Sequence, residues 1–283
     1  MFKWQQTIKK SVSITGVGLH TGQNSTLTFK PAKPNTGYKI IRKDLPGDPE
    51  IKPIAEYVVN TQRGIVLSKD GVKIYTLEHV LAALVGLGID NCILELDAEE
   101  PPIRDGSAKD FVELLLLSGR QELQAYPREY YVVESGGVKS DNKYITAETY
   151  SGFKINYTLK YPNTWIKDQQ AEVEITEENF INLIAQARTF CFEHEIAWLK
   201  DQGLAKGGNL DNALVISKNG IKNPPLRNNL ELVYHKILDL IGDLALLGLP
   251  IKGFLKAKRS GHEMNVKLVK YFKNKLNNVE GRM

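Results

Sequence analysis

One segment constrains this chain more than any other: residues 234–243 read Tyr-His-Lys-Ile-Leu-Asp-Leu-Ile-Gly-Asp. The Ile and Leu residues are typical of a helix packed inside a protein, yet His235, Asp239 and Asp243 interrupt them at four-residue spacing. At about 100° per residue, this spacing puts the three polar side chains on one narrow stripe, with most of the apolar side chains on the far side. Any fold of this chain must therefore accommodate a polar stripe on a mostly apolar helix.

The stripe has two interpretations. In the first, it faces water, as the polar side of most amphipathic helices does. In the second, His235 and Asp239 bind one metal ion from adjacent turns, as the two histidines of zinc-protease helices do. The pair alone does not decide between them, because a catalytic metal site also needs a third ligand, a base and an open coordination position.

Length and composition limit the class of protein that carries this stripe. With 283 residues, of which 42% are hydrophobic, the chain can bury two cores of ordinary size. The formal net charge of +4 comes from scattered Lys and Arg, so we expect no nucleic-acid partner, whereas a small anionic substrate suits this charge. Cys92 and Cys191 lie in apolar segments, which predicts core thiols in a reducing compartment.

Targeting and membrane signals are also absent from the sequence pattern. The first residues carry positive charge but no apolar stretch of a secretory signal follows them. The longest apolar runs, at 80–89 and 237–251, are too short or are interrupted by Asp. We therefore expect a cytoplasmic protein with no membrane span, whose contact with a membrane is at most peripheral. We also expect a monomer.

Hydrophobic periodicity predicts an α+β fold, because strand-like segments come in groups that are followed by helices. Residues 118–129 lose apolar periodicity and contain a proline, so we expect a boundary there between domains at 1–122 and 128–276. We leave residues 277–283 out of the fold prediction as an irregular tail. The predicted strands are 11–14, 25–29, 38–42, 63–67, 92–96, 130–133, 144–148 and 153–159, and the predicted helices are 77–85, 108–117, 177–186, 192–202, 228–247 and 263–274.

His79 is the candidate third ligand of the metal interpretation. It follows Glu78 in Thr-Leu-Glu-His-Val-Leu-Ala-Ala-Leu, where Thr76 is a candidate helix cap. A lone His at a helix start is usually an ordinary surface or core residue, but Glu-His beside a metal supplies both a ligand and a base. Together with His235 and Asp239 it makes two His and one carboxylate, the ligand set of a catalytic zinc site with one open position. Iron(II) fits the same set.

His262, in Arg-Ser-Gly-His-Glu-Met-Asn, is the candidate proton donor. In this interpretation Glu78 takes the proton of the attacking water, and His262 protonates a leaving amine or steadies an oxyanion as imidazolium. Asp243, one turn beyond Asp239, is expected to hold His262 in its cationic form through a hydrogen bond to the ring. His194, in Glu-His-Glu, is instead predicted to be a solvated helix residue.

Five sequence blocks, in this order and spacing, match a known family. The blocks are Gly-Val-Gly-Leu-His-Thr-Gly (16–22), Thr-Leu-Glu-His-Val-Leu-Ala-Ala-Leu (76–84), Pro-Pro-Ile-Arg-Asp-Gly-Ser (101–107), Ala-Arg-Thr-Phe-Cys-Phe (187–192) and His-Lys-Ile-Leu-Asp-Leu-Ile-Gly-Asp-Leu (235–244), followed by Ser-Gly-His (260–262). Through these blocks the chain resembles the zinc-dependent UDP-3-O-acyl-N-acetylglucosamine deacetylases, which perform the committed step of lipid A biosynthesis in Gram-negative bacteria. This resemblance implies two similar domains, each a sheet layer against a helix layer, with the active site between them.

The resemblance implies the same roles for the residues already named and adds others. It puts Thr189 at the oxyanion and Lys236 near the nucleotide phosphates, although the sequence alone suggests that Lys236 is a surface lysine. An insert at about 192–214 is implied to form an apolar passage for the acyl chain of the substrate. The implied zinc ligands are His79, His235 and Asp239, the implied catalytic groups are Glu78, His262, Asp243 and Thr189, and the implied substrate-binding residues are Lys236, Phe190, Ile196, Leu199, Ala205 and Gly208.

The sequence therefore predicts a zinc-dependent deacetylase that acts on a small UDP-linked acyl-sugar. It would hydrolyse the N-acetyl group of UDP-3-O-(3-hydroxyacyl)-N-acetylglucosamine to give UDP-3-O-acyl-glucosamine and acetate. Two alternatives stay open: a zinc hydrolase of another acylated nucleotide-sugar amide, and a non-catalytic UDP-sugar-binding module with a structural metal. The second alternative predicts four closed ligands, yet neither cysteine lies in a Cys-x-x-Cys pair.

Overall fold

The computed structural model describes residues 2–161, 165–223 and 225–280, and it confirms the predicted α+β fold. The strands are β1 (Trp4–Ile8), β2 (Val12–Val17), β3 (Asn24–Pro31), β4 (Tyr38–Arg42), β5 (Glu50–Ile51), β6 (Val58–Asn60), β7 (Val66–Lys69), β8 (Val72–Tyr75), β9 (Cys92–Leu96), β10 (Arg120–Pro127), β11 (Tyr131–Val132), β12 (Gly136–Ser140), β13 (Lys143–Glu148), β14 (Phe153–Leu159), β15 (Gln169–Glu174), β16 (Phe190–Phe192), β17 (Leu214–Ser217), β18 (Gly220–Ile221) and β19 (Ile251–Lys258). The α-helices are α1 (Glu78–Gly86), α2 (Lys109–Ser118), α3 (Glu177–Asn179), α4 (Ile196–Asp201), α5 (Glu231–Leu244) and α6 (His262–Glu280). A π-helical turn (Phe180–Ile184) continues α3, and short 3₁₀ segments are Ala55–Tyr57, Glu193–Glu195 and Ala245–Leu247.

Two sheets share one topology. The first has the strand order β2-β3-β9-β4-β5, and the second has the order β12-β13-β19-β14-β15, with β11 paired to β19. In each sheet a hairpin lies antiparallel to the strand that comes last in the chain, and this last strand occupies the centre. This last strand pairs parallel with the next strand across the sheet, and one further antiparallel strand, β5 or β15, forms the edge. The strand arrangement is therefore repeated, although the sequence shows no visible internal repeat.

The helices follow the same repeat. In the first half α1 precedes the central strand β9 and α2 follows it, while in the second half α5 precedes β19 and α6 follows it. The equivalent helices α1 and α5 pack directly against each other. This repetition supports the division into domains at 1–122 and 128–276, which stays a prediction.

The polar stripe of α5 does not face water. His235, Asp239 and Asp243 are each at most 2% exposed, and the apolar residues of the same helix are buried as well. The interpretation in which the stripe lies on a solvated surface is therefore wrong. A helix buried on all sides must find partners for its polar groups inside the protein.

Several local predictions differ from the structure. The boundary segment is not irregular, because β10 pairs antiparallel with β1. The central strand β19 is missing from the sequence prediction, although Ile251, Leu255 and Ala257 point to one buried face in a period of two. The last helix runs through 277–280 instead of ending at 274, and residues 281–283 lie outside the described residues.

Other side-chain predictions have mixed outcomes. His194 is exposed as predicted, and Cys92 is buried, whereas Cys191 is only half-buried. Thr76 does not cap α1: the N-cap position is Leu77, without a side-chain hydrogen bond. In the described part of the chain, no helix is both long and apolar enough to cross a membrane.

Gly242 allows the close contact between α1 and α5. A Cβ atom added at Gly242 would lie 2.0 Å from the backbone carbonyl oxygen of Glu78 and 2.7 Å from its carbonyl carbon. These are backbone atoms, so no change of side-chain rotamer relieves the clash, and the two helices must separate to accommodate any side chain.

We expect Gly242→Ala to lower the free energy of unfolding by about 1–3 kcal/mol, which is the usual cost of overpacking a core. Helix propensity alone predicts the opposite, a gain of about 1 kcal/mol for Ala over Gly. Urea unfolding of the purified variant measures the difference. Gly261→Ala, where an added Cβ meets no atom within 4 Å, is the control. A Gly242→Ala variant as stable as the wild type would contradict the close packing.

Candidate active site

The packing of α1 against α5 brings three metal-capable side chains together. His79 comes from the first turn of α1, and His235 and Asp239 come from successive turns of α5. One ligand atom of each lies within 4.8 Å of the others, and all three side chains are buried. Nε2 of His235 is 3.3 Å from Oδ1 of Asp239, and Nε2 of His79 is 3.8 Å from the same oxygen.

The hydrogen bonding around this group fits a bound cation. Nδ1 of His235 lies 3.0 Å from the carbonyl oxygen of Ala187, which can only accept, so Nδ1 carries the proton. Burial lowers the pKa of His235, which keeps its ring neutral and leaves Nε2 with a lone pair facing the Asp239 carboxylate. Burial and the neighbouring His235 also lower the pKa of His79 to about 3. Acceptors that face each other in a buried space repel unless a cation lies between them, and two His with one carboxylate suit a divalent transition metal.

Glu78 lies beside the metal group and is almost fully buried. Its Oε2 accepts a hydrogen bond from the backbone N–H of Ile65 at 3.3 Å, and its Oε1 is 4.0 Å from Nε2 of His262. Burial raises the pKa of Glu78 to about 8, against the opposing effect of the nearby His262 ring. A carboxylate with such a pKa can accept a proton and give it up again near neutral pH.

His262 begins α6 and is held by a buried carboxylate. Its Nδ1 lies 2.8 Å from Oδ2 of Asp243, and the same oxygen accepts a 2.8 Å hydrogen bond from Nδ2 of Asn265. Burial alone would lower the pKa of His262, but Asp243, followed by Asp239 and Glu78, outweighs burial and raises it to about 10. The ring is therefore cationic at neutral pH, with Nε2 turned toward the metal group at 3.9 Å from Oδ2 of Asp239.

Thr189 and Lys236 complete the polar surroundings. The backbone N–H of Thr189 donates to the carbonyl of Gly106 at 2.7 Å, which ties this segment to the other half of the chain. Nζ of Lys236 lies 2.7 Å from Oδ2 of Asp239 and 5.3 Å from the centre of the Phe190 ring. Although burial opposes it, the Asp239 charge raises the pKa of Lys236. Lys236 is therefore turned into the site and is not an ordinary surface lysine.

A cavity of about 430 Å³ contains these groups, a volume within the usual range of small-molecule sites. Asp243 lies behind His262 and supports it. The predicted residues that line the cavity are Glu78, His79, Thr189, Phe190, His235, Lys236, Asp239 and His262.

The insert forms a small unit beside this cavity. Strands β16 and β17 pair in parallel, with α4 in the connection between them, and β18 completes the sheet. Leu199 is buried and Ile196 is half-buried in this unit. Of the predicted substrate-binding residues, Phe190 and Lys236 line the cavity. The predicted residues of the insert, Ile196, Leu199, Ala205 and Gly208, are not among the described residues of its wall. Their contact with substrate stays a prediction.

Several residues that line or support the cavity are absent from the sequence prediction. Asn265 had a usable signal, because it follows His262 by three positions and so shares its helix face. Lys143 and Lys267 line the cavity from other elements, and Arg63 also lines it while pairing with Glu195 of the insert at 2.5 Å. The fold brings these residues to the cavity from distant parts of the sequence, so no local sequence pattern predicts them.

Comparison with known proteins agrees with this geometry. A family model described as UDP-3-O-acyl N-acetylglycosamine deacetylase matches residues 5–274. The chain is 43% identical over 272 residues to the UDP-3-O-acyl-N-acetylglucosamine deacetylase of Anaeromyxobacter dehalogenans, covering 95% of this chain and 88% of that relative. The enzymes of the same name from Myxococcus xanthus and Thermodesulfovibrio yellowstonii are 41% and 40% identical, over 94% of this chain and 85% and 91% of theirs. Because these matches extend over nearly the whole sequence, the chain belongs to the UDP-3-O-acyl-N-acetylglucosamine deacetylase family.

Proposed function

We propose that this protein hydrolyses the N-acetyl group of UDP-3-O-(3-hydroxyacyl)-N-acetylglucosamine and releases acetate and UDP-3-O-acyl-glucosamine, the committed step of lipid A biosynthesis. The observation that carries this proposal is the buried group His79, His235 and Asp239 with Glu78 in the same cavity. Amide hydrolysis is catalysed by a Lewis acid, a general base and a general acid within reach of one carbonyl group. This cavity contains residues that can bind the first and act as the other two.

We propose zinc as the metal, held by His79, His235 and Asp239, and iron(II) suits the same ligand set. Bound zinc would supply a Lewis acid for the acetyl carbonyl and lower the pKa of the attacking water. The hydrogen bond between His235 and the Ala187 carbonyl orients one ligand ring.

Glu78 and His262 divide the proton transfers between them. Glu78 takes the proton from the attacking water, because a carboxylate with a pKa of about 8 is a base matched to neutral pH. His262 gives a proton from Nε2 to the departing amine nitrogen as the C–N bond breaks. Asp243, itself held by the Asn265 amide, holds the opposite side of the ring, so Nε2 keeps facing the cavity.

The remaining groups bind and orient the substrate. Thr189 lines the cavity, and its hydroxyl would donate to the oxyanion of the tetrahedral intermediate. Arg63, Lys143 and Lys236 line the same cavity, and their positive charge suits the diphosphate of a UDP-sugar.

The insert at about 192–214 would hold the acyl chain, with Phe190 where it meets the cavity. In this proposal the chain acts as a monomer in the cytoplasm, an environment that suits its two free thiols. Its two domains, at 1–122 and 128–276, would enclose the substrate between them.

Replacement of Glu78 by Gln tests the general base. We expect kcat/KM for acetate release to fall by about 10²- to 10⁴-fold, because the amide cannot accept the proton of the attacking water. The metal content of the variant, measured by atomic emission, should equal that of the wild type. A Glu78→Gln enzyme that loses its metal would indicate a ligand instead of a base.

Thr189→Ala tests the oxyanion contact. Loss of one preorganised donor is expected to reduce kcat by about 10²- to 10³-fold, with little change in KM. Thr189→Ser keeps the hydroxyl and should retain most of the activity. If Thr189→Ser were as inactive as Thr189→Ala, or if Thr189→Ala were as inactive as His79→Ala, the assignment of this hydroxyl to the oxyanion would fail.

Removal of the metal tests the ligand group. Dialysis against a chelator should abolish acetate release, and zinc added in a one-to-one ratio should restore it. His79→Ala should bind less metal than the wild type at equal protein concentration, whereas His194→Ala, which changes an exposed histidine, should bind the same amount. Full activity in a metal-free sample would exclude this mechanism.

A further inference from the structure

Glu100 is a buried carboxylate for which the proposed reaction has no task. It follows β9 and is 1% exposed. Its two oxygens accept hydrogen bonds from two backbone N–H groups and two hydroxyls, and the described residues contain no Lys or Arg paired with it. Burial of a carboxylate without a counterion lowers the stability of a fold unless hydrogen bonds compensate for the lost hydration. The role of Glu100 is therefore to be sought in the groups that donate hydrogen bonds to it.

Oε2 of Glu100 holds the turn at 18–22, which follows β2. It accepts from the backbone N–H of Thr21 at 2.8 Å, from the Thr21 hydroxyl at 2.9 Å and from the backbone N–H of His20 at 2.9 Å. The turn carries Leu19, which lines the active-site cavity. Glu100 therefore fixes one wall of the cavity from behind.

The same turn is the surface on which the insert docks. The backbone N–H of Gly207 donates to the Leu19 carbonyl at 3.1 Å, and that of Lys206 donates to the His20 carbonyl at 3.3 Å. The N–H of Ala205 donates to Nδ1 of His20 at 3.3 Å, and burial lowers the pKa of His20, which keeps this nitrogen free to accept. A Cβ atom added at Gly207 would lie 2.2 Å from a backbone oxygen of the turn, so the two segments are in direct contact.

Oε1 of Glu100 holds the residue that leads into α1. It accepts from the Thr76 hydroxyl at 2.6 Å, and it shares the His20 N–H with Oε2 at a longer distance of 3.1 Å. Thr76 has a φ of +51°, which a β-branched residue rarely adopts without a compensating contact. Glu78 and His79 follow two and three residues later, so the Thr76 conformation sets where the proposed base and one proposed metal ligand begin.

We infer that Glu100 is a positioning residue that holds two walls of the active-site cavity in place at once. Its carboxylate fixes the turn that carries Leu19 and receives the insert, with the Thr21 hydroxyl on Oε2. The Thr76 hydroxyl on Oε1 links the same carboxylate to the strained residue that precedes α1. It touches neither the metal group nor the cavity. The kinetic part of this inference rests on the proposed deacetylase function.

Two substitutions separate the two links. We expect Thr21→Val, which removes the hydroxyl on the Oε2 side, to raise KM by about tenfold, the equivalent of one charge-assisted hydrogen bond, with kcat within twofold of the wild type. Thr76→Val removes the hydroxyl on the Oε1 side and should lower kcat by about tenfold with KM unchanged. Thr21→Ser and Thr76→Ser keep the hydroxyls and should restore the wild-type constants.

Substitutions of Glu100 itself should combine both effects. Glu100→Met removes every acceptor, so KM should rise and kcat should fall. Glu100→Gln should be milder, because its amide oxygen can accept from the turn while its NH2 donates to the Thr76 hydroxyl. Glu99→Met and Glu99→Gln are the matched controls, since the Glu99 side chain has no hydrogen bond among the described residues, and both should resemble the wild type.

Two measurements do not depend on turnover. Hydrogen exchange of the Lys206 and Gly207 amides should be at least tenfold faster in Thr21→Val and Glu100→Met than in the wild type. Zinc affinity, measured by competition with a chromogenic chelator, should be weaker in Thr76→Val and unchanged in Thr21→Val.

The inference is overturned if the Thr21 and Thr76 variants lose kcat equally at constant KM, because that pattern means only a smaller folded fraction. Unchanged amide exchange in Thr21→Val together with unchanged zinc affinity in Thr76→Val would also overturn it. A wild type that releases no acetate would count against the proposed function, and the exchange and zinc measurements would still test Glu100. If Glu100→Met does not fold, the two threonine variants carry the test.

Discussion

The backbones of α1 and α5 meet at Gly242, where the carbonyl of Glu78 leaves no space for a side chain. Each helix brings part of the metal group to this crossing, His79 from α1 and both His235 and Asp239 from α5. The ligand distances are therefore set by helix packing and not by a flexible loop. A shift of either helix would change the ligand geometry and the position of Glu78 together, because Glu78 is both the contact point and the neighbour of a ligand.

The site concentrates charge in a part of the protein from which water is largely excluded. Asp239 and Asp243 are buried on one helix, and Glu78 is buried beside them. Carboxylates so close together destabilise a fold unless cations accompany them, and here His262 and Lys236 provide part of the compensation. The ligand set leaves the remainder to a metal ion. The same surroundings raise the pKa values of both Glu78 and His262. Glu78 is thereby suited to accept a proton and His262 to donate one.

The sequence predicted the part of the site that follows a helical period. The spacing of His235, Asp239 and Asp243 is a local pattern, and it was enough to predict the helix and to propose His235 and Asp239 as candidate ligands. Asn265 was within reach of the same reasoning. The pairing of Arg63 with Glu195 was not, because it joins residues from two separate elements and only the tertiary fold brings them together. The Thr76 cap was wrong for a related reason: its hydroxyl finds a distant carboxylate instead of the nearby helix N-terminus.

The repeated sheet topology also has a consequence for how the chain acquires its structure. In both sheets the central strand is the last to be synthesised, so β9 and β19 must each enter between a hairpin and a strand that are already present. Neither sheet is continuous before that step, and the contacts that complete it join distant parts of the chain, a feature associated with slow folding. The metal group needs both α1 and α5, which come just before those closing strands. The candidate site is thus expected to assemble late in folding, because a chain that has completed only its first sheet holds one of the three candidate ligands.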